Sequence, residues 1–119
     1  MTDPCPSRPQ VCHTVFFQFR EDALPSEIEQ FFAAMAELKT QHKVSGILSF
    51  SYGPHNSQEG LNQDFNYGMT LVFASPEDRD IYLLHPEHEQ VKAIVIPLLK
   101  NGLNSVIAVD WYLQGNNEF

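Results

Sequence analysis

Three side chains that handle protons lie within seven residues of this chain: Tyr82, His85 and His88 of the segment YLLHPEH. A phenol can donate a hydrogen bond to a developing enolate oxygen, and a neutral imidazole can take a proton from a carbon acid near neutral pH. The pair Tyr82 and His88 therefore suits proton transfer next to a carbonyl, with His88 as general base and Tyr82 as the group that orients and polarises the carbonyl. Such chemistry needs no cofactor. Pro86 falls between the two imidazoles and opens a helix, because proline at the first helical position loses only an N–H that would be unpaired anyway. His88 then sits in the first turn, where the partial positive charge of the helix end disfavours imidazolium, while Glu87 and Glu89 push the other way. The structural alternative is that Tyr82 and His88 bond each other, or backbone, and lock a helix junction. His85 suits the satisfaction of backbone groups at the helix start, with a place in the wall of a pocket as its second role. A metal shared by His85 and His88 is disfavoured, since Pro86 breaks their common helical face and no third ligand is set by pattern.

The elements that must aim these groups are readable from periodicity. Residues 1–11, with Pro4, Pro6 and Pro9, read as a disordered extension, and 12–113 as one domain followed by a frayed tail over 114–119. Cys12 to Phe19 reads as a strand, with His13, Val15, Phe17 and Phe19 on one face. Ser26 is the expected N-cap of a helix carrying Ile28, Phe31, Phe32, Met35 and Leu38 on one stripe. Ile47 to Tyr52 and Phe65 to Ser75 read as strands, the second with Tyr67, Met69, Leu71 and Phe73 on one side. Residues 55–64 form a polar loop. Ser75 caps a short helix to about Leu84, and a second helix runs from Pro86 toward Lys100, kinked or cut short at Pro97 and stopped by Asn101–Gly102. Ser105 to Leu113 is the last strand.

The order β-α-β-β-α-α-β predicts an α+β, ferredoxin-like fold: a four-stranded antiparallel sheet with helices on one face. The helix-free face would carry Thr14, Phe16, Gln18, Thr70, Val72, Ile107 and Val109, apolar enough to demand cover. A second copy of the chain is the simplest cover, giving a homodimer. On the other face, His13, Val15, Phe17, Phe31, Phe32, Met35, Tyr67, Met69, Leu71 and His85 are the expected wall of a pocket for a small apolar or aromatic ligand, if the space is not simply filled by them.

With 119 residues the chain fits one domain able to bury a core. The net charge of −8 repels phosphate backbones and anionic headgroups, which argues against nucleic acid and membrane partners. No apolar run approaches the roughly 20 residues of a membrane span. The N-terminal residues lack a signal-peptide pattern, so a cytoplasmic location and free thiols at Cys5 and Cys12 are expected.

His13 at the start of the first strand, Phe31–Phe32, the G-x-x-x-S of Gly53 to Ser57, VFAS ending the third strand, YLLHPEH and the closing VDW at Asp110 together resemble the stress-responsive A/B barrel (Dabb) family of dimeric α+β barrels. The resemblance spans Cys12 to Tyr112, and Y-x-x-H-P-x-H is its specific part. It implies a ferredoxin-like monomer that pairs through its sheets. Most members have no established chemistry; a plant polyketide cyclase of the family closes a linear polyketide by aldol condensation. By motif match its catalytic tyrosine and histidine fall on Tyr82 and His88, its first-strand pocket histidine on His13, and its helix aromatics on Phe31 and Phe32. Met35 and Tyr67 stand where it has tyrosine and histidine, which alters pocket polarity. Two rival readings remain. One is a non-catalytic stress-responsive binding or structural protein. The other, by fold analogy alone, is a cofactor-free monooxygenase.

Overall fold

A computed structural model describes residues 9–115. Strand β1 (Val11–Phe17) is followed by helix α1 (Pro25–Thr40), strands β2 (Ile47–Pro54) and β3 (Tyr67–Phe73), helices α2 (Pro76–Leu84) and α3 (Pro86–Val95), a 3₁₀ turn (Ile96–Leu98), a short strand β4 (Lys100–Leu103) and strand β5 (Val106–Tyr112). The sheet has the order β2-β3-β1-β5, and every neighbouring pair is antiparallel. This is the expected ferredoxin-like architecture with one element added: β4 occupies the residues expected to stop α3. Pro97 ends the α-helix early, as its ring and missing N–H require, and the chain turns through 3₁₀ geometry to a bond from the Lys100 N–H to the Gln18 carbonyl.

That bond also explains why β1 stops short of Phe19. Gln18 bonds Lys100 and Ser105 instead of its sheet neighbours, and Phe19 makes an isolated bridge with Leu99. The α1 cap differs as well. Leu24, not Ser26, is the N-cap; Pro25 takes the first helical position, and Glu27 Oε1 accepts from the Leu24 N–H at 3.0 Å. A glutamate reaching back three residues pairs the N-cap N–H, while no side chain caps the first-turn N–H groups that the Ser26 hydroxyl was expected to pair. Residues 1–8 and 116–119, which contain Cys5 and most of the expected extension and tail, lie outside the described residues. Cys12 is a buried free thiol.

The core forms between the sheet and the helices. Phe31, Phe32, Met35 and Leu38 of α1 pack on Val15, Phe17, Met69, Leu71 and Phe73 of the strands, all buried. The α2 start follows the sequence reading: Ser75 Oγ accepts from the Asp78 N–H at 3.1 Å and donates to Asp78 Oδ2 at 3.0 Å. Ser75→Ala is expected to cost about 1 kcal/mol, read from urea unfolding, because it leaves a helix N–H unpaired. Gly46 meets the same carboxylate. Its φ of +88° and the collision that a Cβ would make with the Asp78 side chain both require glycine at this turn into β2.

Candidate functional site

Three elements converge on YLLHPEH. Helix α2 ends at Leu84 and α3 begins at Pro86, so His85 is at once the C-cap of one helix and the N-cap of the next. Its Nδ1 accepts from the Glu87 N–H at 3.1 Å. The short junction folds Tyr82 and His88 back on each other, with ring centroids 4.0 Å apart and planes 26° from parallel. Both rings are buried, and Tyr82 meets Phe73 and the edge of His13, whose centroid lies 5.8 Å away.

His13 reaches the same place from β1. Antiparallel pairing sets it directly opposite Asp110 of β5, and the Asp110 Oδ1 accepts from His13 Nδ1 at 2.7 Å. Arg79 of α2 donates to the other carboxylate oxygen at 2.9 Å. Asp110 thus holds the imidazole by Nδ1, which fixes the orientation of the ring. Asp110→Ala is expected to destabilise by about 1–3 kcal/mol, since it strips a charged partner from buried His13 and from Arg79. Asp80→Ala, which loses only an exposed contact to Arg79, is expected to change stability by no more than about 0.5 kcal/mol in the same urea titrations.

Between sheet and helices lies a cavity of about 200 Å³. His13, Val15, Phe17, Phe31, Met35 and Met69 line it together with Tyr82 and His88. Four residues expected in the wall are elsewhere. Phe32 and Leu71 are wholly buried in the core beside it. Tyr67 stacks on Phe32 and meets the edge of Phe19, away from the cavity. His85 is turned to its capping bond. Phe32 is adjacent to Phe31 on a helix and so points about a quarter-turn away, and Tyr67 and Leu71 lie past the ends of the cavity although they share its face. Lys92, Leu83, Leu103, Val106 and Ala108 complete the lining. Lys92 was missed although its spacing of four from His88 puts it on the same helix face; Leu103 had no signal, since it belongs to the unforeseen β4.

The electrostatics separate the two central rings. Burial, with the Asp110 charge second, pushes the Tyr82 phenol above its ordinary range, so it remains a protonated donor. Burial also pushes the His88 imidazole down; the Leu83 carbonyl and Glu89 oppose this, while Lys92 and His13 reinforce it. The result is a neutral ring at neutral pH. The Tyr82 hydroxyl and His88 Nδ1 are both buried without a hydrogen-bond partner among the described residues. Buried polar atoms are nearly always paired, and these two exceptions sit on stacked rings of residues that line one cavity. Among the described residues no group of three or more His, Cys, Asp or Glu could hold a metal, and no helix is long and apolar enough to cross a membrane.

Residues 11–113 match the family model described as Stress Responsive A/B Barrel Domain. The Stress-response A/B barrel domain-containing protein HS1 of Arabidopsis thaliana is 25% identical over 101 residues, covering 85% of this chain and 87% of that protein. Two solved structures share the fold with enzymatic descriptions. The hydroxynitrile lyase of Passiflora edulis has a TM-score of 0.76 at 17% identity, covering 96% of this chain and 99% of its own. The cofactor-independent oxygenase SnoaB of Streptomyces nogalater has 0.69 at 14%, covering 92% and 97%. At such identities the likeness is one of fold. Further bacterial structures of the same fold are described as dimeric ferredoxin-like proteins.

Proposed function

The chain belongs to the stress-responsive A/B barrel domain family, and from that premise we propose that it is a homodimeric small-molecule-binding barrel in which His88 and Tyr82 act, without a cofactor, on a carbonyl compound of single-ring size. The observation that carries this reading is the pair of unpartnered buried atoms, Tyr82 Oη and His88 Nδ1, on two stacked residues of the cavity lining. In the reaction, His88 takes a proton from the carbon next to the carbonyl. The C–H electron pair becomes the enolate, whose oxygen accepts a hydrogen bond from the Tyr82 hydroxyl. The enolate carbon can then bond a second carbonyl carbon, and the resulting alkoxide recovers the proton from the His88 imidazolium. Size narrows the ligand. Typical ligand sites begin at about 300 Å³, whereas an apolar cavity of about 150 Å³ takes benzene. A cavity of about 200 Å³ supports a monocyclic aromatic better than an extended polyketide.

The test uses acetophenone in D₂O, with NMR following exchange of its methyl protons. Protein-dependent exchange supports the catalytic reading. Protection of the protein against thermal unfolding by acetophenone, without exchange, favours the non-catalytic binding protein, a rival that the small cavity also supports. Neither effect counts against a ligand site at this cavity. Conversion only in air would favour the oxygenase chemistry of a similarly folded relative.

The homodimer is proposed through the helix-free face. Phe16, Ile107, Val109 and Trp111 stand exposed there, between 42% and 49% accessible in the single chain, and relatives of the fold are dimeric.

A further inference from the structure

The cavity at Tyr82 reverses the charge of the chain around it. The sequence carries 15 Asp and Glu against 7 Lys and Arg. Among the described residues that line the cavity there is no carboxylate and one cation, Lys92; the other polar lining groups are His13, Tyr82 and His88. Those three are buried. Lys92 is half-buried, and Leu83 and Leu103 of the same lining are exposed, so the cation belongs to the end of the cavity that meets solvent. On α3 it follows His88 by four residues, about 6 Å along the same helix face. Lysine lays an aliphatic stem on an apolar wall and carries its charge outward. The charge still reaches the site, because Lys92 is one of the groups that disfavour imidazolium at His88. Its ammonium donates to Glu89 Oε2 at 3.3 Å, an exposed pair within one helix. Such pairs are worth little, so the ammonium exchanges Glu89 for another carboxylate at small cost.

We propose that Lys92 selects the ligand, and that the ligand is an anion: a single-ring ketone bearing a carboxylate, which pairs with Lys92 while the carbonyl end lies at Tyr82 and His88. The inference rests on the proposed carbonyl chemistry of this cavity and narrows its substrate class. A neutral ketone gains nothing from a cation at the mouth. A carboxylate does. The net charge of −8 repels it at long range, and its loss of water on entry is costly unless an opposite charge and hydrogen bonds replace that water. A charge-assisted bond from an ammonium is about twice as strong as a neutral one, and at a mouth open to solvent the carboxylate keeps part of its water. The spacing suits a ring with two substituents. One helical turn separates the lysine from the imidazole, a distance comparable with that across a disubstituted benzene ring. Carboxylate and ketone therefore belong on ring carbons meta or para to each other.

The test compares 3- and 4-acetylbenzoate, each with its own amide, 3- or 4-acetylbenzamide. Acid and amide share one outline and one methyl ketone and differ in charge. Each is titrated into the full chain by calorimetry near neutral pH, with acetophenone as the unsubstituted ketone. In at least one pair the acid is expected to bind about 5-fold or more tighter than the amide. Lys92→Met keeps the stem and removes the charge, and is expected to bring that ratio to about one. Lys92→Glu is expected to reverse it. The readout is a ratio within one protein, so a change in overall stability does not imitate the effect. Acids that bind no better than their amides, or a preference that survives Lys92→Met, overturn the role of Lys92 and leave the carbonyl reading standing on acetophenone. Failure of acetophenone, the acids and the amides alike to bind overturns both.

Discussion

Tyr82→Phe is expected to raise the stability of the protein while slowing its chemistry. The Tyr82 ring is fully buried against Phe73, His13 and His88, so phenylalanine keeps the packing. The hydroxyl, by contrast, is buried without a partner among the described residues. Leaving a buried hydroxyl unpaired costs about 1–3 kcal/mol, and its removal relieves that cost. Loss of one donor to a developing oxyanion costs about 10²–10³-fold in rate. Exchange of acetophenone protons should therefore fall by that factor in a variant that unfolds at higher urea concentration than wild type. The opposite outcome, a destabilised variant with unchanged exchange, means that the hydroxyl locks the α2–α3 junction, and the structural reading of the pair wins. A core tyrosine selected for packing alone would be improved or unaffected in both respects by losing an unpaired hydroxyl. Keeping it at a cost in stability is what a functional group would do.

Much of this site's geometry is legible in the sequence, and the reasons are local. Ser75-Pro76 and His85-Pro86 each announce a helix start within two residues, because proline fixes φ and the preceding side chain can accept from the first free N–H groups. Tyr82 and His88 followed from those two starts. Strand parity gave His13, Val15, Phe17 and Met69 their common side. What could not be read depends on register and on distant segments. Asp110 was visible as the end of the VDW motif, yet its bond to His13 exists only because β5 pairs with β1 so that residue 110 faces residue 13. Parity placed Tyr67 and Leu71 on the correct face of β3 but said nothing about where along that face the cavity lies. The strand β4 was hidden because Asn101–Gly102 carries the signature of a helix stop, and nearby Pro97 had already ended the helix.

Replacing His88 by glutamine is expected to lower acetophenone exchange by about 10²–10⁴-fold, the usual contribution of a positioned general base. Glutamine retains polarity and approximate size, so the loss reports proton transfer rather than collapse of the cavity. Two pH dependences follow from the imidazole being held below its ordinary value of 6.5 by burial, with Lys92 and His13 adding to the effect. Activity should be flat through neutral pH and fall only under more acidic conditions, because the base is lost when it is protonated and its folded-state pKa is depressed. Stability should follow the same group. Below pH 6.5 the unfolded chain binds a proton at this histidine that the folded chain resists, so the stability linked to the neutral ring is present above 6.5 and is lost as the pH falls through the folded value. In urea titrations on either side of pH 6.5, acidification should therefore destabilise wild type more than His88→Gln, since the other titrating groups are shared. Equal sensitivity of the two proteins would mean that His88 is no harder to protonate in the fold than in the open chain. The burial that keeps this ring neutral below pH 6.5 would then be absent, and activity would fall with the ordinary histidine titration instead of under more acidic conditions.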